Sequence, residues 1–112
     1  MKQVYESSSP RDGYRVLVDK FWPRGVRRDV ARIDEWLKDA APSDELRHWF
    51  EYDPIRWSEF RERYDKELHG KEEVIRGLRI RSRGKDIALL FASSDKQHNN
   101  AVVLKEFIET LK

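Results

Sequence analysis

The chain has 112 residues, 39% of them charged, yet 23 Lys and Arg against 21 Asp and Glu leave a net charge of only +2. A quarter of the chain is Leu, Ile, Val or Phe and 12% is aromatic, which excludes a disordered polymer and fits one compact domain over residues 1–112. There is no Cys, so disulfides, thiolate metal sites and a Cys nucleophile are excluded. The best apolar run, Ile87 to Ala92, is far shorter than the ~20 residues of a membrane span. The first ten residues lack the apolar core of a secretory signal. A cytoplasmic location is the expectation, with no cofactor implied.

Gln3-Val4-Tyr5 is short enough to be either an edge strand or one arm of a loose hairpin. Glu6 to Gly13 is turn chemistry, with three Ser, Pro10 and Asp12-Gly13. Tyr14 to Phe21 reads as a strand whose centre, Val16-Leu17-Val18, suits burial on both faces. Pro23 and Gly25 end it. Asp29 to Ala41 carries Ile33, Trp36, Leu37 and Ala40 at helical spacing and predicts a helix stopped by Pro42. Ser43 then caps a helix with Leu46, Trp49 and Phe50 inward. Asp53-Pro54 opens another helix, to about His69, burying Trp57, Phe60, Tyr64 and Leu68. Lys71 to Arg83 is helical and ends at Gly84. Asp86 to Ala92 is the second buried strand. The last helix, capped by Asp95 or Ser94, runs to about Leu111. The long helical crossover between the two apolar strands predicts that they pair in parallel. The fold expected is a small α/β single-domain layered structure: a short, mostly parallel sheet covered by about five helices.

In such sheets, ligands bind outside the carboxyl ends of the strands. Two segments leave strands there, Asp19 to Gly25 and Ser93 to Asn100. If the strands are neighbours, Asp19, Trp22, Arg24, Ser93, Asp95, His98 and Asn99 converge. Gln97-His98-Asn99-Asn100 is a poor first helical turn, since Asn weakens a helix relative to Ala. Residues that weaken a local element often serve a site. His98 is therefore the candidate acid or base, oriented by Asp95. Arg24, fixed between Pro23 and Gly25, suits a carboxylate or phosphate; its plainer reading is an ion pair with Asp29 or Glu35. Trp22 is a stacking surface or a hydrophobic plug. Arg79, Arg81, Arg83 and Lys85 form a basic cluster that is either a phosphate contact or the favourable end of a helix dipole. The three His are far apart and the Gly residues scattered. Neither a metal site nor a phosphate-cradling loop is expected.

Asp12-Gly13-Tyr14-Arg15-Val16-Leu17-Val18-Asp19 followed by Trp22-Pro23-Arg24-Gly25 resembles the signature of the YeaO-like proteins. These are a bacterial and archaeal family carrying domain of unknown function 488. The likeness continues through Glu35-Trp36, Ala41-Pro42-Ser43, Leu46-Arg47, Trp49-Phe50, Asp53-Pro54, Trp57, Phe60 and Tyr64 to Asp95, His98-Asn99 and Ala101 to Leu104. The resemblance implies a compact α/β domain and no particular reaction. Family members often carry Gly-His before the Asp-Pro, where this chain has Glu51-Tyr52. A Tyr commonly follows the paired Leu of the last strand, where this chain has Phe91. Both departures leave His98 as the better candidate for chemistry. The matching polar residues at strand ends add Arg15 to the candidates.

The leading expectation is a site for a small anionic ligand, binding or catalytic: Arg24 and Arg15 hold the anion, His98 and Asp95 act on it, and Asp19, Trp22, Ser93 and Asn99 complete the pocket. The alternatives are a nucleic-acid-binding module using Arg79 to Lys85, and an interaction protein in which these residues serve the fold. Whether the protein is an enzyme, and its oligomeric state, stay open.

Overall fold

The two apolar runs form the centre of a four-stranded sheet. The computed structural model describes residues 1–51 and 53–111. Its strands are β1 (Lys2–Gln3), β2 (Tyr14–Leu17), β3 (Glu35–Trp36) and β4 (Ile87–Phe91), in the order β1-β4-β2-β3 with every pair parallel. Val16 pairs with Leu89 and Leu17 with Leu90, and none of Val16, Leu17 or Val18 reaches solvent. The undecided first strand is an edge strand, with Lys2 opposite Leu90.

The described residues hold five helices, α1 (Arg28–Ala31), α2 (Asp44–Phe50), α3 (Trp57–His69), α4 (Glu72–Arg81) and α5 (Asn100–Thr110); α2 to α5 bury apolar stripes and α2 and α5 carry side-chain caps, whereas the short α1 has neither. Ser43 caps α2 by accepting the Leu46 N–H at 3.2 Å and is itself held by the Glu67 carboxylate. Asp53 accepts the Ile55 N–H at 3.0 Å, and Pro54 begins a 3-10 turn that runs into α3. Alternation of side chains along a strand divides the core in two. Val16, Val18, Leu89 and Phe91 pack on residues of α2 to α5. Leu17, Ala88 and Leu90 face the other way, towards Val4, Ile33, Trp22 and Trp36. No helix among the described residues is long and apolar enough to cross a membrane.

Two expectations are corrected. Residues 29–41 are not one helix. Arg32 adopts a left-handed conformation (φ 53°) and ends α1 after four residues. The chain then runs beside β2: Asp34 N–H bonds Arg15 O at 2.9 Å and Leu37 N–H bonds Leu17 O at 2.8 Å. Trp36 sends its indole N–H to the Asp19 carbonyl at 2.8 Å. These non-local bonds outweigh the helical spacing of Ile33, Trp36, Leu37 and Ala40, and only a 3-10 turn, Lys38–Ala40, remains. The second correction is the start of α5. Its cap is Asn99, whose side chain accepts the Val102 N–H. Asp95 instead caps the preceding turn, accepting the Gln97 and His98 N–H groups at 2.9 Å each. The poor first turn is thus mostly a loop before the helix.

Candidate ligand-binding site

A cavity of about 210 Å³ opens at the carboxyl ends of β2 and β4. The segment from Asp19 to Pro23 forms one wall, α2 contributes Arg47 and Phe50, and Asn100 enters from the start of α5. Most of the surface is apolar: Phe21, Trp22 and Pro23 meet Pro42, Phe50 and Phe60. Phe50 and Phe60 stack with ring centroids 4.2 Å apart and are almost wholly buried. Trp22 is fixed by its indole N–H on Val26 O (2.7 Å) and by edge contact with Trp36.

Asp19 is the acid of this cavity. It leaves the buried end of β2, and its carboxylate accepts the Ala92 N–H at 2.8 Å. Burial pushes its carboxyl above the ordinary 3.8, while the hydrogen bonds from Ala92 and the Asn100 side chain pull the other way. No ion pair to Asp19 occurs among the described residues. Asn100 is buried and also donates to Val18 O at 2.9 Å, tying α5 to the end of β2.

Two cations, Lys20 and Arg47, line the outer part of the cavity, and the anion they share, the exposed Asp44, stands outside the lining. Asp44 accepts Arg47 Nη2 at 3.0 Å and stands 3.6 Å from Lys20 Nζ. The Arg47 guanidinium lies 4.5 Å from the centre of the Phe21 ring, and its Nε is buried without a hydrogen-bond partner. Phe21 itself is 61% exposed, an unusual state for a phenyl ring beside a cavity.

Of the residues singled out from sequence, Asp19 and Trp22 line this cavity; Arg15, Arg24, Ser93, Asp95, His98 and Asn99 do not. Arg15 is buried on β2, donating to Ala31 O and paired with Asp12, which Lys2 also contacts. Arg24 is exposed, and its carbonyl accepts the Tyr5 hydroxyl. Asp95 and His98 are together, with Nδ1 of His98 3.0 Å from the carboxylate. The His98 ring sits edge-on to Trp57. Hydrogen bonds from the Gln97 and His98 amides hold the Asp95 carboxyl below its usual range. Ser93 Oγ accepts the Asp95 N–H. Asn99 is fully buried as the α5 cap and also donates to Asp95 O. Tyr52, one of the family departures, lies outside the described residues. In the basic cluster, Arg79 donates to Leu111 O and Arg81 grips Glu35 with two hydrogen bonds; Arg83 and Lys85 are exposed. Among the described residues no group of three metal-binding side chains occurs.

Arg47 and Asn100 line the cavity and were not singled out from sequence. Asn100 carried a signal, since a second Asn at a helix start exceeds what capping needs. Arg47 carried none, because a cation among apolar helix positions usually marks the solvated face.

The family profile described as "Inactive DUF488-N3 subclade" matches residues 1–111. The chain is 36% identical over 110 residues to uncharacterized protein YeaO of Escherichia coli (strain K12), covering 98% of this chain and 96% of that one. It is 54% identical over 67 residues to uncharacterized protein Rv3073c of Mycobacterium tuberculosis (strain ATCC 25618 / H37Rv). Uncharacterized protein Mb3100c of Mycobacterium bovis (strain ATCC BAA-935 / AF2122/97) matches to the same extent. Those two alignments cover 60% of this chain and 57% of each mycobacterial protein. No solved structure matches the chain.

Proposed function

The chain belongs to the DUF488-N3i family, the inactive DUF488-N3 subclade, and on that premise we propose that it is a small-molecule-binding module that holds its ligand without turning it over. The observation that carries this reading is Asp19: a carboxylate in a mostly apolar cavity that makes no ion pair among the described residues, although Lys20 and Arg47 line the same cavity. Burying an unpaired charge costs stability, so the fold gains nothing from that carboxylate that an amide could not supply. A group that weakens its own surroundings inside a cavity is the usual mark of a site. Binding rather than turnover is favoured because Asp19 is the one acid lining the cavity, with no His, Ser, Thr or Tyr beside it among the described residues. The His98–Asp95 pair stands apart, engaged with its own turn and with Trp57.

The test is a single-ring fragment screen followed by amide and indole NMR shifts. Binders should move Lys20, Phe21, the Trp22 indole, Ala92 and Asn100 together, and each should come back chemically unchanged after long incubation. Hits scattered over the surface, or none, would remove the reading. Conversion of a bound fragment would restore a catalytic one.

A further inference from the structure

The distribution of charge around the cavity says more than that something binds. Its inner end presents a carboxylate, and a carboxylate has roughly four lone-pair sites. The Ala92 amide and the Asn100 side chain use part of that capacity at Asp19. What remains suits a strong donor such as an ammonium group, which brings three N–H bonds and the missing positive charge. The outer end is the reverse. Lys20 and Arg47 share the single anion Asp44, leaving one positive charge in surplus. The Arg47 side chain is about a quarter exposed at the cavity, and a guanidinium fork is the side chain best shaped for a carboxylate. The rest of the wall is mostly apolar, with Phe21, Trp22, Phe50 and Phe60 as its rings.

Resting on the binding reading above, we propose that the occupant is a small zwitterion, an amino acid with an apolar body, its ammonium group on Asp19 and its carboxylate at Arg47 and Lys20. A singly charged ligand satisfies one end and leaves the other unpaired. A neutral ligand displaces water from both ends and replaces neither charge. With Asp44, which stands outside the lining against Lys20 and Arg47, counted beside Asp19, the charges at and around the cavity sum to zero, so a ligand of zero net charge with separated poles leaves that balance unchanged. Size narrows the class further. Cavities for drug-sized ligands run ~300–1,000 Å³, and about 210 Å³ limits the body to one ring or a branched chain.

The test compares L-phenylalanine and L-leucine with 2-phenylethylamine, which lacks the carboxylate, and 3-phenylpropionate, which lacks the ammonium group. By calorimetric titration, at least one of the two amino acids should bind tenfold or more tighter than either singly charged compound. Asp19→Asn should erase the preference over 3-phenylpropionate. Arg47→Met should erase the preference over 2-phenylethylamine, and Lys20→Met should reduce it, so the outer end stays testable if Arg47→Met fails to fold. Equal affinity for 2-phenylethylamine and phenylalanine would overturn the carboxylate end of the proposal. Equal affinity for 3-phenylpropionate would overturn the ammonium end. If neither amino acid binds while neutral fragments still move the Trp22 indole, the zwitterion is wrong and the binding module stands. If the fragment screen is silent too, both fall.

Discussion

Truncating Asn99 to Ala tests whether the loop before α5 is held by the fold or kept for a ligand. The side chain is fully buried. Its oxygen accepts the Val102 N–H at 3.2 Å, and its amide donates to Asp95 O at 2.9 Å. Losing a helix cap costs ~1 kcal/mol. Leaving a buried partner unsatisfied adds ~1–3 kcal/mol, and the two overlap because Val102 is one of those partners. The expected loss is about 2–4 kcal/mol, a large share of the ~5–15 kcal/mol that holds a typical domain. At ~5 °C per kcal/mol for a chain of this size, Tm falls by roughly 10–20 °C. Urea unfolding followed by tryptophan fluorescence should show a lower midpoint with an unchanged slope. Asn99→Ser keeps an acceptor for the cap and loses the amide donor, so it should recover part of the loss. Asn99→Asp keeps the acceptor and sets a carboxylate against the Asp95 carbonyl, so it should fall below Ser. An Ala variant within ~0.5 kcal/mol of the parent, or a Ser variant no better than Ala, would refute the capping argument and return Asn99 to the list of ligand contacts.

Two further outcomes test the frame around the site. Gly13→Ala should destabilise by ~3 kcal/mol or more, because φ is +71° and a Cβ would sit 2.2 Å from Asp86 O, the oxygen that accepts the Tyr14 N–H. Gly84→Ala, at φ +78° with open space around it, should lose only ~1 kcal/mol; equal losses in denaturant unfolding would mean the contact with Asp86 is immaterial. Glu35 is held below its ordinary 4.5, chiefly by the hydrogen bonds from Arg81. Its contribution is therefore complete above that ordinary value and disappears as pH falls through the lowered one. Glu35→Gln should cost ~1 kcal/mol at neutral pH, given that Arg81 is half exposed, and the gap from the parent should close in acid. A gap that stays constant down to strongly acid pH would show that charge plays no part.

The central strands were readable because Val16-Leu17-Val18 and Leu89-Leu90-Phe91 are unbroken apolar runs, and a run buried on both faces needs a covered sheet. Their parallel pairing was readable from the length of the crossover. The stretch around Glu35-Trp36 was not. Its apolar spacing is helical, and what makes it a strand lies elsewhere in the chain: the carbonyls of Arg15 and Leu17, and the Asp19 carbonyl that receives the Trp36 indole. The site divides in the same way. Asp19 and Trp22 fall at the cavity because topology puts every strand's end there. Arg47 reaches it from a helix whose place over the sheet edge depends on Ser43, Glu67 and the packing of Phe50. Asn100 was visible as an oddity, and its partners at Val18 and Asp19 supply the reason.

The strand order also dictates when the chain can fold. β4 is the neighbour of both β1 and β2, so Val16 must wait for Leu89, its partner roughly 70 residues later. At a synthesis rate of ~5–20 residues per second, that interval is about 4–15 s. Until it ends, the most apolar segment of the first half has only the two-residue β3 to pair with. The helices α2 to α4 are made in the meantime, and their stripes can shelter Val16 and Val18 before the sheet closes. The last strand is thus the step that completes the sheet and the cavity together, since Ala92 and Asn100 arrive with it. A nascent chain stopped before β4 has neither.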